Sequence, residues 1–181
     1  MAVKKAIFKT SAFFKGFLLP LAENATAREA VIIGSILAKM SINNLDSAAA
    51  IMKLTHMPYQ VGSGFFLKTL LGKRYALPTQ VINALIKFFC KFGEDATSKT
   101  FEEDDMDVDS EGEEDEAEIG QDGERLPVMW HQTLLTLVQC YRPYLSRDDC
   151  LMLKALTRKH NHPAITPEIR KCLAADYQPT N

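Results

Sequence analysis

A chain of 181 residues with 46% hydrophobic content is long enough to fold around one core, and no run in it approaches the 18 uncharged apolar residues that suggest a membrane-spanning helix. Its net charge of −2 hides a sorted distribution, because 16 of the 23 carboxylates fall within residues 94–124, beside one basic residue, Lys99. Residues 1–93 carry 12 Lys and Arg against 3 Asp and Glu, and residues 125–181 carry 8 against 4, so the body is basic and a uniformly acidic protein is excluded.

A basic body suits a polyanionic partner, RNA or DNA before others, although lysine-rich solvated helix faces give the same composition. Phe101–Glu118 has almost no large apolar side chain and a block of like charge, so it cannot offset the entropy of ordering. The expected organisation is one domain built from residues 1–93 and 125–181, interrupted by a disordered acidic loop over 94–124. Cys90, Cys140, Cys150 and Cys172 form no CxxC pair and lie in apolar, helix-like stretches, which predicts buried thiols and a reducing compartment.

Helical periodicity runs through nearly the whole chain. Ala2–Lys9 begins without a cap, as if inside a helix. Its lysines and Ala25-Thr26-Ala27 imitate a targeting peptide, but Lys9 and Lys15 break the apolar run. Ser11 can cap a helix through Phe13, Phe14, Phe17 and Leu18, which Pro20 should end or kink. Thr26-Ala-Arg-Glu29 reads as a capping box, followed by a stripe of Ile32, Ile33, Ile36 and Leu37. A helix from Asn44 carries Ala48, Ala49, Ile51, Met52 and Leu54. Pro58 and Gly62 mark a loop, and Ser63 can cap a helix through Phe66, Leu67, Leu70 and Leu71.

Pro78 opens the next helix, with Val81, Ile82, Leu85, Ile86 and Phe89 on its apolar side. Beyond the acidic segment, Pro127 opens a helix with Met129, Leu134, Leu137, Val138 and Tyr141 facing inward. Ser146-Arg-Asp-Asp149 starts another with Leu151, Leu153 and Leu156, and Thr166-Pro167-Glu168 starts a short last one. The helices group as pairs over 26–56, 63–92 and 127–159. Pair starts lie 37 residues apart, then 33 once the 31-residue acidic segment is removed. That period predicts an all-α fold, a short HEAT-like α-solenoid of antiparallel helix pairs, with a closed bundle as the alternative.

Catalytic signals are thin. Gly62-Ser63-Gly64 is not GxSxG and reads as a turn and cap. Gly72-Lys73 lacks the earlier glycine and the Ser or Thr of a phosphate loop, since Leu67 and Arg74 stand there. His160 and His162 flank Asn161 in a surface turn, and His131 reads as a core histidine. Two histidines without further ligands make no zinc site, and the acidic run has no calcium-loop spacing, so neither metal nor cofactor is expected. Ser110, followed by Glu111 and Glu113, suits an acidophilic kinase and is the phosphorylation candidate.

Lys73 and Arg74, at a predicted helix end where cations are favoured, are the leading candidates for phosphate contact. Lys4, Lys5, Lys9, Lys15, Arg28 and Lys39 follow. Where a lysine neighbours an aromatic, as in Phe14-Lys15 and Lys87-Phe88, adjacent helical positions point the aromatic to the core and the lysine to the rim.

The string Leu126-Pro-Val-Met-Trp-His-Gln-Thr-Leu-Leu-Thr-Leu-Val-Gln139 resembles the signature of the bystin family. Phe13-Phe-Lys-Gly16 with Leu19-Pro-Leu21, Arg28-Glu-Ala30 with Gly34-Ser35, Ser47-Ala-Ala-Ala50, Tyr75-Ala-Leu-Pro78 and Pro167-Glu-Ile-Arg170 match further blocks. Family members are much longer, so the chain looks like their C-terminal portion, and the acidic segment looks longer than theirs. The resemblance implies a non-enzymatic assembly factor of the small (40S) ribosomal subunit. It would contact small-subunit pre-rRNA, assembly factors and ribosomal proteins of the pre-40S head, and serve 18S maturation. It implies a nucleolar and nuclear location with cytoplasmic passage on pre-40S particles, and neither a membrane nor a small-molecule substrate. The family offers no motif of RNA-binding residues to carry over, so the basic candidates rest on charge alone. The competing expectation is a protein–protein scaffold that binds acidic partner segments without touching RNA. The acidic segment reads either as an internal RNA mimic or as a solvated spacer.

Overall fold

The computed structural model describes residues 9–94 and 126–174, and among these the regular elements are helical, with no strand. Lys4, Lys5, Ser110 and all of the acidic segment except Glu94 lie outside the described residues.

The described chain opens with α1 (Thr10–Phe13), a π-helical turn (Phe14–Leu18) and α2 (Leu19–Asn24). Lys9, rather than Ser11, holds the N-cap position of α1. Pro20, expected to end or kink the helix, sits in the first turn of α2 directly after the π turn. The widened turn changes the hydrogen-bond register where proline has no N–H to donate, so helical structure persists to Asn24. Phe13, Phe14 and Leu18 are buried, while Phe17 is exposed.

The capping box predicted at Thr26 is present. Thr26 N–H donates to Glu29 Oε2 (3.0 Å), and Glu29 N–H to Thr26 Oγ1 (3.4 Å), at the start of α3 (Ala27–Lys39). The stripe that α3 buries differs from the expected one. Ala30, Gly34 and Leu37 face the core, Ile33 and Ile36 are half-buried, and Ile32 is 60% exposed. Gly34 is the reason for the rotation: a Cβ there would lie 2.9 Å from the Phe65 ring, so a following helix approaches α3 along that line.

Asn43, one residue before the expected start, caps α4 (Asn44–Leu54), its side chain accepting from Leu45 N–H (3.2 Å). Ala48, Ile51 and Leu54 are buried as expected, and Ala49 is exposed.

The next helix, α5 (Val61–Gly72), begins earlier than the sequence suggests. Gly62, Ser63 and Gly64 are buried in its first turn rather than in a loop. Ser63 does not cap from outside; its hydroxyl accepts from Gln60 N–H and donates to Gln60 carbonyl (both 2.9 Å). Phe66, Leu67, Leu70 and Leu71 are buried, and α5 packs against α2, α3, α4 and one later helix, so it is apolar nearly all round.

The remaining elements are α6 (Thr79–Glu94), α7 (Val128–Tyr141), a 3-10 turn (Arg142–Tyr144), α8 (Arg147–Lys159) and α9 (Thr166–Ala174). All five expected residues of α6 are buried, and Phe88 joins them. Ser146 and Asp149 form the expected capping box (2.9 and 3.1 Å). Leu151, expected in the core, is 57% exposed, while Cys150 is buried beside it. No disulfide joins the four cysteines; Cys90, Cys140 and Cys172 are only half-buried. Thr166 opens α9, but its hydroxyl accepts from His162 N–H (2.8 Å) instead of capping the helix.

Two rows of helices result. In one, α3, α5, α7 and α9 pack in succession; in the other, α4, α6 and α8 do. Side-chain bonds fix the direction of each row. Lys73, just past α5, donates to the carbonyls of Ala38 (3.1 Å) and Met40 (2.6 Å) at the end of α3. Tyr141, at the end of α7, donates to the Tyr75 carbonyl past α5 (2.9 Å). The C-terminal ends of α3, α5 and α7 therefore share an edge.

In the second row, His160 Nε2 past α8 donates to the Phe92 carbonyl near the end of α6 (2.8 Å). A cleft lined by Thr55–Tyr59 and by Phe88, Lys91 and Phe92 joins the ends of α4 and α6. The C-terminal ends of α4, α6 and α8 share the other edge.

Candidate nucleic-acid interface

Helix C-termini carry the negative end of the helix dipole, so lysine and arginine in last turns are favoured locally before any partner is considered. When several such ends converge, their cations form a band. Each edge of the two-row body has one, and the two bands differ in what their cations do.

The α3–α5–α7 edge holds the leading sequence candidates, and the fold separates them. Lys73 is half-buried, its ammonium on two carbonyls at the end of α3 and 6.0 Å from the Tyr75 ring centroid. It closes the end of α3 as a structural cation. Arg74 is exposed and adopts φ 54°, the left-handed conformation that usually follows a helix as glycine. Its N–H bonds the Leu71 carbonyl (3.0 Å) and turns the chain toward Tyr75. Exchanging Arg74 for glycine should relieve about 1 kcal/mol of left-handed strain, partly offset by glycine's entropy, and raise Tm by about 1–3 °C in thermal unfolding. Lys39, in the last turn of α3, is exposed nearby. Lys9, Lys15 and Arg28 are exposed too, at the N-cap of α1, in the π turn and in the first turn of α3; Thr10, next to Lys9, donates to Asp46 in the first turn of α4.

The α4–α6–α8 edge carries the other band, and reading the sequence alone missed it. Lys53 lies in the last turn of α4, Lys91 in that of α6, and Arg158 and Lys159 in that of α8. Lys87 stands one turn before Lys91 on the same face, and both are exposed, as are Lys53, Arg158 and Lys159. Asp148 and Asp149 lie at the opposite end of α8, and Glu94 is the acid that ends α6 at this one. The signal was present, since every second helix of the three predicted pairs ends in a basic turn. It became a site only through the convergence of those ends.

Histidines and aromatics close the body beneath this band. Trp130 is fully buried, with ring centroids of Phe89, Phe92, His131 and His160 at 5.5, 5.9, 5.0 and 5.9 Å. His131 Nδ1 donates to the Pro127 carbonyl (3.3 Å), and its Nε2 is buried without a partner among the described residues. His162, whose ring lies 5.3 Å from that of His131, accepts from Ile165 N–H (3.3 Å). The expected surface turn is thus half-buried packing.

Burial is the main cause that lowers the pKa of His131 from its ordinary 6.5; the Pro127 and His160 backbone carbonyls oppose it, and positive charge on His162 and His160 adds to it. The fold favours the neutral ring, so the unfolded chain binds more protons as pH drops below 6.5, and stability falls with it. Urea midpoints of the wild type should decline more steeply below neutral pH than those of His131→Asn, which keeps a donor for Pro127; parallel declines would refute this assignment.

The described residues offer little chemistry of the catalytic kind. Cys150 is buried, and burial pushes its thiol up, away from the reactive thiolate. No group of three His, Cys, Asp or Glu among the described residues is placed to hold a metal. No helix among them is long and apolar enough to cross a membrane.

Known proteins resemble the chain along nearly all of it. The family model described as Bystin matches residues 1–180. Bystin of Monosiga brevicollis is 43% identical over 172 residues, covering 94% of this chain and 35% of the relative. Human Bystin is 42% identical over 173 residues, covering 94% and 33%. Essential nuclear protein 1 of Saccharomyces cerevisiae is 39% identical over 176 residues, covering 96% and 32%. The chain therefore spans about a third of the length of these relatives. With the family model matched from end to end of the folded body and the signature around Trp130 in its core, the chain belongs to the bystin family.

Proposed function

We propose that the chain is the docking scaffold of a non-catalytic ribosome biogenesis factor. In this reading the two rows of helices are a short HEAT-like α-solenoid. It binds small-subunit pre-rRNA by phosphate contacts and holds assembly factors and ribosomal proteins of the pre-40S head while 18S rRNA matures. Membership of the bystin family supports the biogenesis role, and the name of the yeast relative supports a nuclear location. Nucleolar residence and cytoplasmic passage on pre-40S particles belong to the same proposal.

One observation carries the RNA contact: the three helices of one row end together and present Lys53, Lys87, Lys91, Arg158 and Lys159 outward on one edge. Such a band orients a phosphate backbone and reads no bases. Lys39 and Arg74 on the other edge, with Lys171 in the last turn of α9 and with Lys9, Lys15 and Arg28, form a second set. The acidic segment and Ser110 enter as modulators, lowering non-specific RNA binding.

The alternative, a scaffold that meets only acidic protein segments, predicts a different response to salt. Affinity for a short RNA duplex should fall with a log–log slope of about −0.7 to −0.9 per phosphate contact between about 50 and about 200 mM salt. A slope near zero would reject direct RNA docking in favour of the protein scaffold.

A further inference from the structure

A groove of about 430 Å³ opens on the α3–α5–α7 row, lined by Ala38, Phe65, Lys68, Thr69, Gly72 and Thr136, with Lys73 at one end. Its floor is the half-buried Phe65 ring, seated against Gly34 of α3. Its two hydroxyls are already engaged, Thr69 donating to the Phe65 carbonyl (2.8 Å) and Thr136 to that of Gln132 (2.9 Å). Lys73 gives its ammonium to the end of α3. One cation remains to meet a ligand. Lys68 is half-buried between α5 and α7, its ammonium bonded to the Gln132 side-chain oxygen, and no acid lines the groove. Partial burial lowers its pKa. On α3, Ser35 and the 49% exposed Val31 continue the face past Ala38 at helical spacing.

A single half-buried ammonium in a groove with an aromatic wall is poorly suited to RNA, whose repeating phosphates favour several cations in a row on a polar surface. It suits one carboxylate next to one large apolar side chain. We propose that this groove docks a short acidic segment of a partner protein, seating a carboxylate on Lys68 and the neighbouring apolar side chain on Phe65. The site lies on the first row, apart from the α4–α6–α8 band, and deepens the protein-binding half of the proposed function. It rests on that reading only for the existence of a protein partner.

The test uses three synthetic peptides: an acidic one containing leucine, the same peptide with leucine replaced by serine, and the same peptide with its acids amidated. Each is titrated into the isotope-labelled chain while backbone amide shifts are followed. The leucine-containing acidic peptide should move the amides of Phe65–Gly72 and Ala38, and both controls should bind weakly. Lys68→Met, which keeps the aliphatic stem, should lower affinity about tenfold or more, the scale of a lost charged hydrogen bond. Ala38→Trp, at an exposed position, should block the groove without touching the core. No shift with the acidic peptide, equal binding of the serine control, or indifference to both variants would overturn the proposal. So would an RNA duplex that moves the same amides and is displaced by the peptide. A wild-type chain that binds the RNA duplex but not the acidic peptide would sink this site alone, and one that binds the peptide but not the duplex would sink the RNA reading alone.

Discussion

Trp130→Ala is expected to cost about 3–5 kcal/mol, the range for removing a large aromatic from a packed core. A domain of this size has about 5–15 kcal/mol in all, so the variant should be partly unfolded at physiological temperature. The effect is large because Trp130 contacts three elements at once: Phe89 and Phe92 of α6, His131 of its own helix, and His160 just past α8. Removing it opens a cavity at the joint on which the α4–α6–α8 edge is built. Trp130→Phe should cost far less, because it keeps an aromatic and removes an indole N–H that is buried without a partner among the described residues. Since Trp130 is the sole tryptophan, unfolding must be followed by circular dichroism in urea. A loss below about 1 kcal/mol for the alanine variant would mean that this joint is not packed as described.

Reversing charge at Lys87, Lys91 and Arg158 together (K87E/K91E/R158E) is expected to leave folding nearly intact, since all three are exposed. RNA affinity should fall by at least about tenfold at low salt, and the salt slope should flatten by about one unit for each phosphate contact removed. The pair K39E/R74E on the other edge should have a smaller effect. If that pair proves the more damaging, the RNA face is the α3–α5–α7 edge and the charge reading of the sequence alone was nearer the mark. Lys73 is a poor probe for either question. Its substitution uncaps α3, so a loss of binding would report a loosened helix end as readily as a missing phosphate contact.

Local signals explain why the helices themselves were legible. The capping boxes at Thr26 and Ser146 are read from four residues, and the buried set of α6 follows from a clean apolar stripe next to lysines. Burial failed as a guide where neighbours decide it. Ile32 and Leu151 have core chemistry, yet Gly34 lies where the Phe65 ring closes on α3 and Cys150 takes the buried position beside Leu151, so the larger side chains turn outward. Gly62-Ser63-Gly64 reads as a loop because glycine is a poor helix former. In the fold, Gly64 makes room for Tyr59, whose hydroxyl would lie 2.5 Å from a Cβ there.

The candidate site was legible residue by residue and not as a site. Lys73 and Arg74 look equivalent in the sequence, and only the tertiary contact with α3 makes one structural and leaves the other exposed. Lys53, Lys87 and Arg158 are far apart in the chain, and their grouping depends on the shared direction of α4, α6 and α8.

The most direct test of the account is crosslinking of the protein to RNA in living cells, followed by sequencing of the attached fragments. The account predicts a focused peak within the 18S region that disappears with K87E/K91E/R158E while the protein still enters pre-40S particles. Absence of an RNA peak from a protein that co-sediments with those particles would contradict direct docking. A peak untouched by the triple reversal would contradict the assignment to the α4–α6–α8 edge.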